Sequence, residues 1–253
     1  MTPILNLSAY RFVAIADPHA LKEAVYAEAA ARSLKGTVLL AEEGINLFLA
    51  GEPAAVRDWV SWLHADPRFA PMEPKESWSA TVPFRRLKVK VKREIIRMNH
   101  PTIRPEDGRA PSVPPETLAR WLQAGHDDAG REVVTLDTRN AFEVDHGAFE
   151  GAIDWRLDKF SDFPAALEAH RHELEGKTVV SYCTGGIRCE KAALYMRRLG
   201  LESVYQLEGG ILKYFEETAS PGWKGDCFVF DEREALTTGL DPRDGQDGLS
   251  STP

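Results

Sequence analysis

Between residues 132 and 218 short apolar runs alternate with amphipathic ones: "EVVTLDTR", "PAALEAHRHELEG", "KTVVSYC", "CEKAALYMRRLGL", "SVYQLEGG" and "ILKYFEET". No other feature restricts the fold as strongly. A short apolar run with polar ends reads as a strand buried on both faces, and such strands belong to parallel sheets whose crossovers are helices. The expected unit is an α/β domain over residues 116–236, with a parallel sheet covered by helices. The helix "PETLARWLQAG" opens it, and "GAIDW" is expected to add a short strand.

The amino-terminal half has a different rhythm. "NLSAYRFVAIA" reads as a strand. "DPHALKEAVYAEAAARSL" reads as a helix, with Asp17 as N-cap and Pro18 in the first turn. "GTVLLAEEGINLFLAG" gives two strands around Glu42-Glu43-Gly44. "EPAAVRDWVSWLHAD" gives a helix with Val56, Trp59, Val60 and Leu63 on one face, and "PFRRLKVKVKREIIRM" a final strand. The order βαββαβ is that of the ferredoxin-like unit, expected over residues 1–100. The proline-rich stretch "PTIRPEDGRAPSVPP", 101–115, breaks both periodicities and reads as the linker. Residues 237–253 have little apolar content and are expected to be disordered.

Hydrophobic residues make up 43% of the chain and charged residues 28%, the balance of a soluble globular protein. No apolar run approaches the roughly 20 residues of a membrane helix. No secretory leader is readable at the start, so cytoplasm is the expected location. The net charge of −8 disfavours nucleic acid as a partner for the molecule as a whole. The cysteines are three, Cys183, Cys189 and Cys227, with no Cys-x-x-Cys pair and no nearby histidine. That argues against a disulfide framework and against structural zinc, and no metal is expected. No flavin or nicotinamide motif is present, and no protein partner is readable.

The chemistry concentrates in "TVVSYCTGGIRCEKA". A buried strand ends at Cys183, the loop Thr184, Gly185, Gly186, Ile187, Arg188 follows, and a helix starts near Cys189. The two glycines permit a backbone that turns successive N–H groups inward, and the helix N-terminus adds partial positive charge. Arg188 is expected to add a full charge. Such surroundings favour a thiolate, which is a nucleophile. A lone cysteine at a strand end is more often a packing residue; the glycines and the arginine favour a reactive site. Cys189 is a candidate second thiol. A cysteine phosphatase loop needs five residues between Cys and Arg, whereas Arg188 follows after four and Cys189 stands in the arginine's place.

One stretch departs from the acidic average. In the final strand Leu87, Val89 and Val91 alternate with Lys88, Lys90 and Lys92, so one face is apolar and the other basic. With Arg85, Arg86 and Arg93 this forms a patch able to track a phosphate backbone. A solvated edge protected by lysines is the competing reading. Tyr182, Trp155 and Phe160 are aromatic candidates for stacking a base, with core packing as the more ordinary role.

The segments "VVTLDTRNAFEVDHGAFEGAIDWRL", "VVSYCTGGIRCEKAALYMRRLG" and "VYQLEGGILKY" resemble a rhodanese domain. Asp137, Arg139, Glu143 and Gly151-Ala152 match its first motif, Cys183 to Arg188 its active loop, and Gly209-Gly210 its closing pair. Asp137 and Arg139 read as braces under the loop. The wording "CTGGIRCEKA", together with "GDCFVFDER" and "LLAEEGINLFLAG", is similar to the oxygen-dependent tRNA uridine(34) hydroxylases, over about residues 4 to 236. That resemblance implies hydroxylation of the wobble uridine to 5-hydroxyuridine, an essential Cys183, tRNA as partner, dioxygen as co-substrate, and RNA contact by the basic strand. The residues alone equally support a sulfurtransferase carrying a persulfide on Cys183. A non-catalytic binding module is a third reading, disfavoured by the intact cysteine loop.

Overall fold

The computed structural model describes residues 3–243 and contains two main sheets, one for each half of the chain. The amino-terminal half runs β1 (Ile4–Phe12), α1 (Pro18–Ala31), β2 (Lys35–Ala41), β3 (Gly44–Gly51), α2 (Pro53–His64), β4 (Lys75–Ser79) and β5 (Leu87–Val91). The sheet order is β4-β1-β3-β2-β5, and the first four strands pair antiparallel in the ferredoxin-like arrangement. Asp17 caps α1 as expected, accepting from the backbone of His19 and Ala20 at 3.1 and 3.0 Å. Both helices cover one face. There Leu5, Val25, Val38, Leu47 and Trp59 are fully buried.

One strand is not where the sequence pattern puts it. The fourth strand of the ferredoxin-like unit is Lys75–Ser79, pairing with β1 in the register Leu5↔Trp78. The basic segment instead supplies β5, parallel to β2 at the opposite edge. "KESWS" carries no apolar run, so only its pairing with β1 defines it as a strand.

The second half runs β6 (Ser112–Val113), α3 (Pro115–Ala124), β7 (Val133–Asp137), α4 (Ala141–Val144), β8 (Gly147–Phe149), α5 (Phe163–His170), β9 (Thr178–Tyr182), α6 (Ile187–Arg198), β10 (Val204–Leu207), α7 (Gly210–Glu217), β11 (Trp223–Gly225), β12 (Cys227–Phe228) and β13 (Ala235–Leu236). The central sheet, β6-β10-β9-β7, is parallel throughout. "GAIDW" is not a strand. Only Ile153 bridges, to Leu136, while the preceding β8 pairs antiparallel with β11.

The expected linker is largely built into this domain. Ile103 and Ala110 lie in its core, and β6 forms an edge of the sheet beside β10. Its prolines stop helices without freeing the chain. Within the expected disordered tail, residues 237–243 turn back: Thr237 donates to the Asp241 carbonyl at 2.9 Å and Arg243 to that of Ala235 at 3.2 Å. Leu240 packs on the core. The remainder of that segment lies outside the described residues. Among the described residues no helix is long and apolar enough to cross a membrane.

The free face of the amino-terminal sheet meets α6. Strand alternation turns Asn6, Ser8, Tyr10 and Phe12 away from α1 and α2. Tyr10 and Phe12 pack with buried Ala41, Ile95 and Ile187. Lys191 of α6, 1% exposed, bonds Glu43 at 2.9 Å, Glu94 at 2.8 Å and the Ile96 carbonyl at 3.0 Å. Glu190, equally buried, accepts from Tyr10 Oη and Arg109 Nε, both at 2.9 Å. Each buried charge on this side of α6 is thus matched by the other half of the chain or by the segment joining the two.

Candidate active site

Cys183 follows the last residue of β9, and Gly186, at φ +100, is the N-cap of α6. Gly186 caps with no side chain, so the first N–H groups of α6 are free to serve the sulfur. The Gly186 N–H donates to Cys183 Sγ at 3.2 Å. Of the two loop glycines only Gly186 has positive φ; Gly185 lies beneath Ser8 of β1, where a Cβ would sit at an ordinary contact distance of 3.8 Å from the hydroxyl.

Burial is the largest influence on the Cys183 thiol and raises its pKa. The Cys189 side chain, the Arg188 charge and the backbone N–H groups of Cys189 and Arg188 outweigh it, lowering the pKa to about 5. Cys183 is therefore a thiolate at neutral pH. Cys189, its sulfur 4.0 Å away, is held protonated, first by burial and then by its neighbour's charge. Burial pushes Cys227 up to about 12.

Arg188 does not stand free beside the sulfur. Its guanidinium forks onto Glu143, with Nη2 at 2.7 Å from Oε1, so the charge reaching Cys183 is a shared one. Glu143 in turn closes a capping box with Asn140 at the start of α4. Asp137 and Arg139 form a second buried pair at 2.6 Å, and Arg139 also donates to the Gly147 carbonyl, tying the end of β7 to β8. Thr184 is nearly buried, its hydroxyl 3.5 Å from the Phe228 carbonyl, and Ile187 joins the interdomain cluster.

Residues beyond the loop complete its cradle. The N–H groups of Ile211 and Leu212 in α7 donate to the carbonyls of Cys183 and Thr184 at 3.0 and 3.1 Å. A Cβ on Gly210, whose φ is +68, would lie 2.4 Å from the Cys183 carbonyl oxygen. The sequence signal for this was the Gly-Gly pair. Glu190, Lys191 and Lys75 carry no such signal, because charged residues on a helix or in a polar stretch give no local sign of burial.

The basic residues lie on the same sheet face as the loop. Direct cross-strand partners run Ser8–Phe48–Thr37–Lys88 and Tyr10–Asn46–Leu39–Lys90. Three strand spacings place Lys88 roughly 14 Å from β1. Lys88 is half-buried, and Lys90, Lys92, Arg86 and Arg93 are exposed. Arg85 pairs with Glu232 at 2.9 Å. Among the stacking candidates, Tyr182 and Phe160 are core residues, and Trp155 is engaged with His170 and Glu173.

The thiolate has a direct signature. The ultraviolet thiolate absorbance of the protein, less that of Cys183→Ser, is expected to titrate with a midpoint near 5. Because the folded value lies below the ordinary 9.0, ionisation stabilises the fold fully above 9.0, and that contribution is lost as pH falls through about 5. The stability gap between protein and variant should narrow over that window. A midpoint at the ordinary value would remove the cradle argument.

Residues 4–95 match the UPF0176 acylphosphatase-like domain, and residues 116–217 the rhodanese-like domain. The tRNA uridine(34) hydroxylase of Delftia acidovorans is 66% identical over 240 residues, covering 95% of this chain and 91% of that protein. That of Bordetella petrii is 64% identical over 242 residues, covering 96% of each. Among solved structures, the rhodanese-like domain of an Anabaena sp. protein aligns with a TM-score of 0.37 at 20% identity, over 46% of this chain and 79% of that one, a likeness too weak to add to the argument. With relatives this similar over nearly their whole length, the chain belongs to the tRNA uridine(34) hydroxylase family.

Proposed function

We propose that this chain hydroxylates uridine 34 of tRNA to 5-hydroxyuridine, with Cys183 as the essential residue, dioxygen as co-substrate and the Lys88–Lys92 edge as part of the RNA surface. Such an enzyme acts where tRNA is found, in the cytoplasm. The observation that carries the reading is the position of the Cys183 thiolate: its loop faces the sheet of the amino-terminal domain, and Lys88 and Lys90 stand on that same face. A sulfurtransferase acting on small donors has no use for a basic sheet face beside its cysteine.

The triple variant Lys88→Glu, Lys90→Glu, Lys92→Glu tests the RNA surface. Leu87, Val89 and Val91 pack on the amino-terminal core, so the fold should persist. Affinity for tRNA should fall, and the log–log salt slope should flatten by roughly 2 as fewer counterions are released. Sulfur transfer from thiosulfate should not change. Undiminished tRNA affinity would place the RNA elsewhere.

A further inference from the structure

A cavity between β1, β4 and the cysteine loop is lined by Asn6, Ser8, Phe48, Lys75, Thr184 and Phe230, among others. Thr184, next to Cys183 in the chain, brings the cavity to the edge of the cysteine loop, and Glu76, Glu216, Asp231 and Arg233 line it as well. Three of its residues have unspent binding capacity. Phe230 is 50% exposed, although its ring stands edge-on to Phe228 at 5.1 Å and lies 5.9 Å from the Arg188 guanidinium. Asn6 is 3% exposed and its Nδ2 donates to the Ser77 carbonyl at 3.3 Å and Ser79 Oγ at 2.9 Å. A carbonyl only accepts, so it fixes which end of the amide faces Ser77. Asn6 Oδ1 is left without a partner among the described residues. Lys75 is half-buried and makes no hydrogen bond or ion pair among the described residues; its Nζ lies 5.9 Å from the Tyr10 ring, and burial lowers its pKa while the nearby Cys183 charge works to raise it. It also borders a wider polar cleft, where Arg109 and Lys213 are paired with Glu190 and Glu208.

An aromatic face, a buried acceptor and a lysine without an ion-pair partner together describe a nucleotide site. We propose that this cavity receives the uracil of nucleotide 34: Phe230 stacks on the base, Asn6 Oδ1 accepts the uracil N3–H, and Lys75 takes the adjoining phosphate. The proposal rests on the tRNA reading above. Uracil carries a hydrogen on N3, whereas the N3 of cytosine is an acceptor. Asn6 therefore admits the first base and repels the second, and the site selects uridine as well as holding it. Stacking on an aromatic side chain is tolerant of base identity, so selectivity falls to Asn6 and affinity to Phe230 and Lys75.

The test uses the full chain and an anticodon stem-loop RNA with 4-thiouridine at position 34. Irradiation should crosslink that base to the Phe230 or Phe48 peptide, located by mass spectrometry. Phe230→Ala should raise the KM for tRNA about ten- to a hundredfold, while Phe230→Trp restores it. Lys75→Met should weaken tRNA binding and lower its salt dependence. A stem-loop with cytidine at position 34 should compete far less well than the uridine form, and Asn6→Ala should level the two. Should that variant not fold, equal competition by the two stem-loops on the unaltered protein would still overturn the selection assigned to Asn6. A protein that hydroxylates uridine 34 yet crosslinks elsewhere, with an unchanged Phe230→Ala KM, would overturn the subsite alone. A protein that leaves uridine 34 untouched would overturn the tRNA reading and the subsite with it.

Discussion

Cys183→Ser is expected to reduce uridine 34 hydroxylation by roughly three orders of magnitude or more, while leaving the fold intact. A serine hydroxyl does not ionise in the accessible pH range. The Gly186 N–H and the α6 N-terminus would then face a neutral oxygen where they now hold an anion. Cys189→Ser is the matched control. Its thiol stays protonated and donates to the Gly186 carbonyl at 2.9 Å, a bond a hydroxyl can replace. This variant should keep a measurable part of the activity. Single-turnover assays on an unmodified tRNA transcript, with circular dichroism for the fold, separate the two. Equal loss in both variants would make the pair of thiols, rather than Cys183, the functional unit.

Glu143→Ala is expected to destabilise the protein by about 3–5 kcal/mol. Arg188 is 5% exposed and Glu143 fully buried, so removing the carboxylate strands a guanidinium that water does not reach. The same change leaves the Asn140 N–H without the acceptor now 3.1 Å away. Glu143→Gln keeps the shape and one acceptor but not the charge, and should fall between. Urea unfolding, with midpoints compared at constant slope, measures this. A loss within about 0.5 kcal/mol, as for an ordinary surface substitution, would show that Arg188 finds another partner.

These two expectations differ in how much of them the sequence reveals. The cysteine loop is legible because its parts are contiguous: an apolar strand, two glycines, an arginine and a helix within fifteen residues of "TVVSYCTGGIRCEKA". The parallel sheet is legible for the same reason, since strands buried on both faces announce themselves by composition alone. The Arg188–Glu143 pair, 45 residues apart, is not. From sequence, Arg188 reads as a charge offered to the sulfur; the structure commits most of it to Glu143.

Polar edges are the other blind spot. Lys75–Ser79 becomes a strand only because β1 has an unpaired edge, and "GAIDW" fails to become one because β8 and β11 pair beside it. Glu190 and Lys191 look like solvent-facing positions on α6. They are buried because Tyr10, Glu43 and Glu94 of the amino-terminal domain come to meet them, and Arg109 after it. Periodicity within one element does not show a partner supplied by another domain. Strand register alone sets Lys88 and Lys90 on their sheet face; the docking brings the cysteine loop to that same face, so the arrangement most relevant to the proposed RNA surface needs both.

The most direct test of the account is nucleoside mass spectrometry on unmodified tRNA incubated with the purified protein under isotopically labelled dioxygen. The expected result is 5-hydroxyuridine at position 34 carrying the label, and none with Cys183→Ser. Unmodified uridine at that position with the unaltered protein, or the same yield from Cys183→Ser, would contradict it.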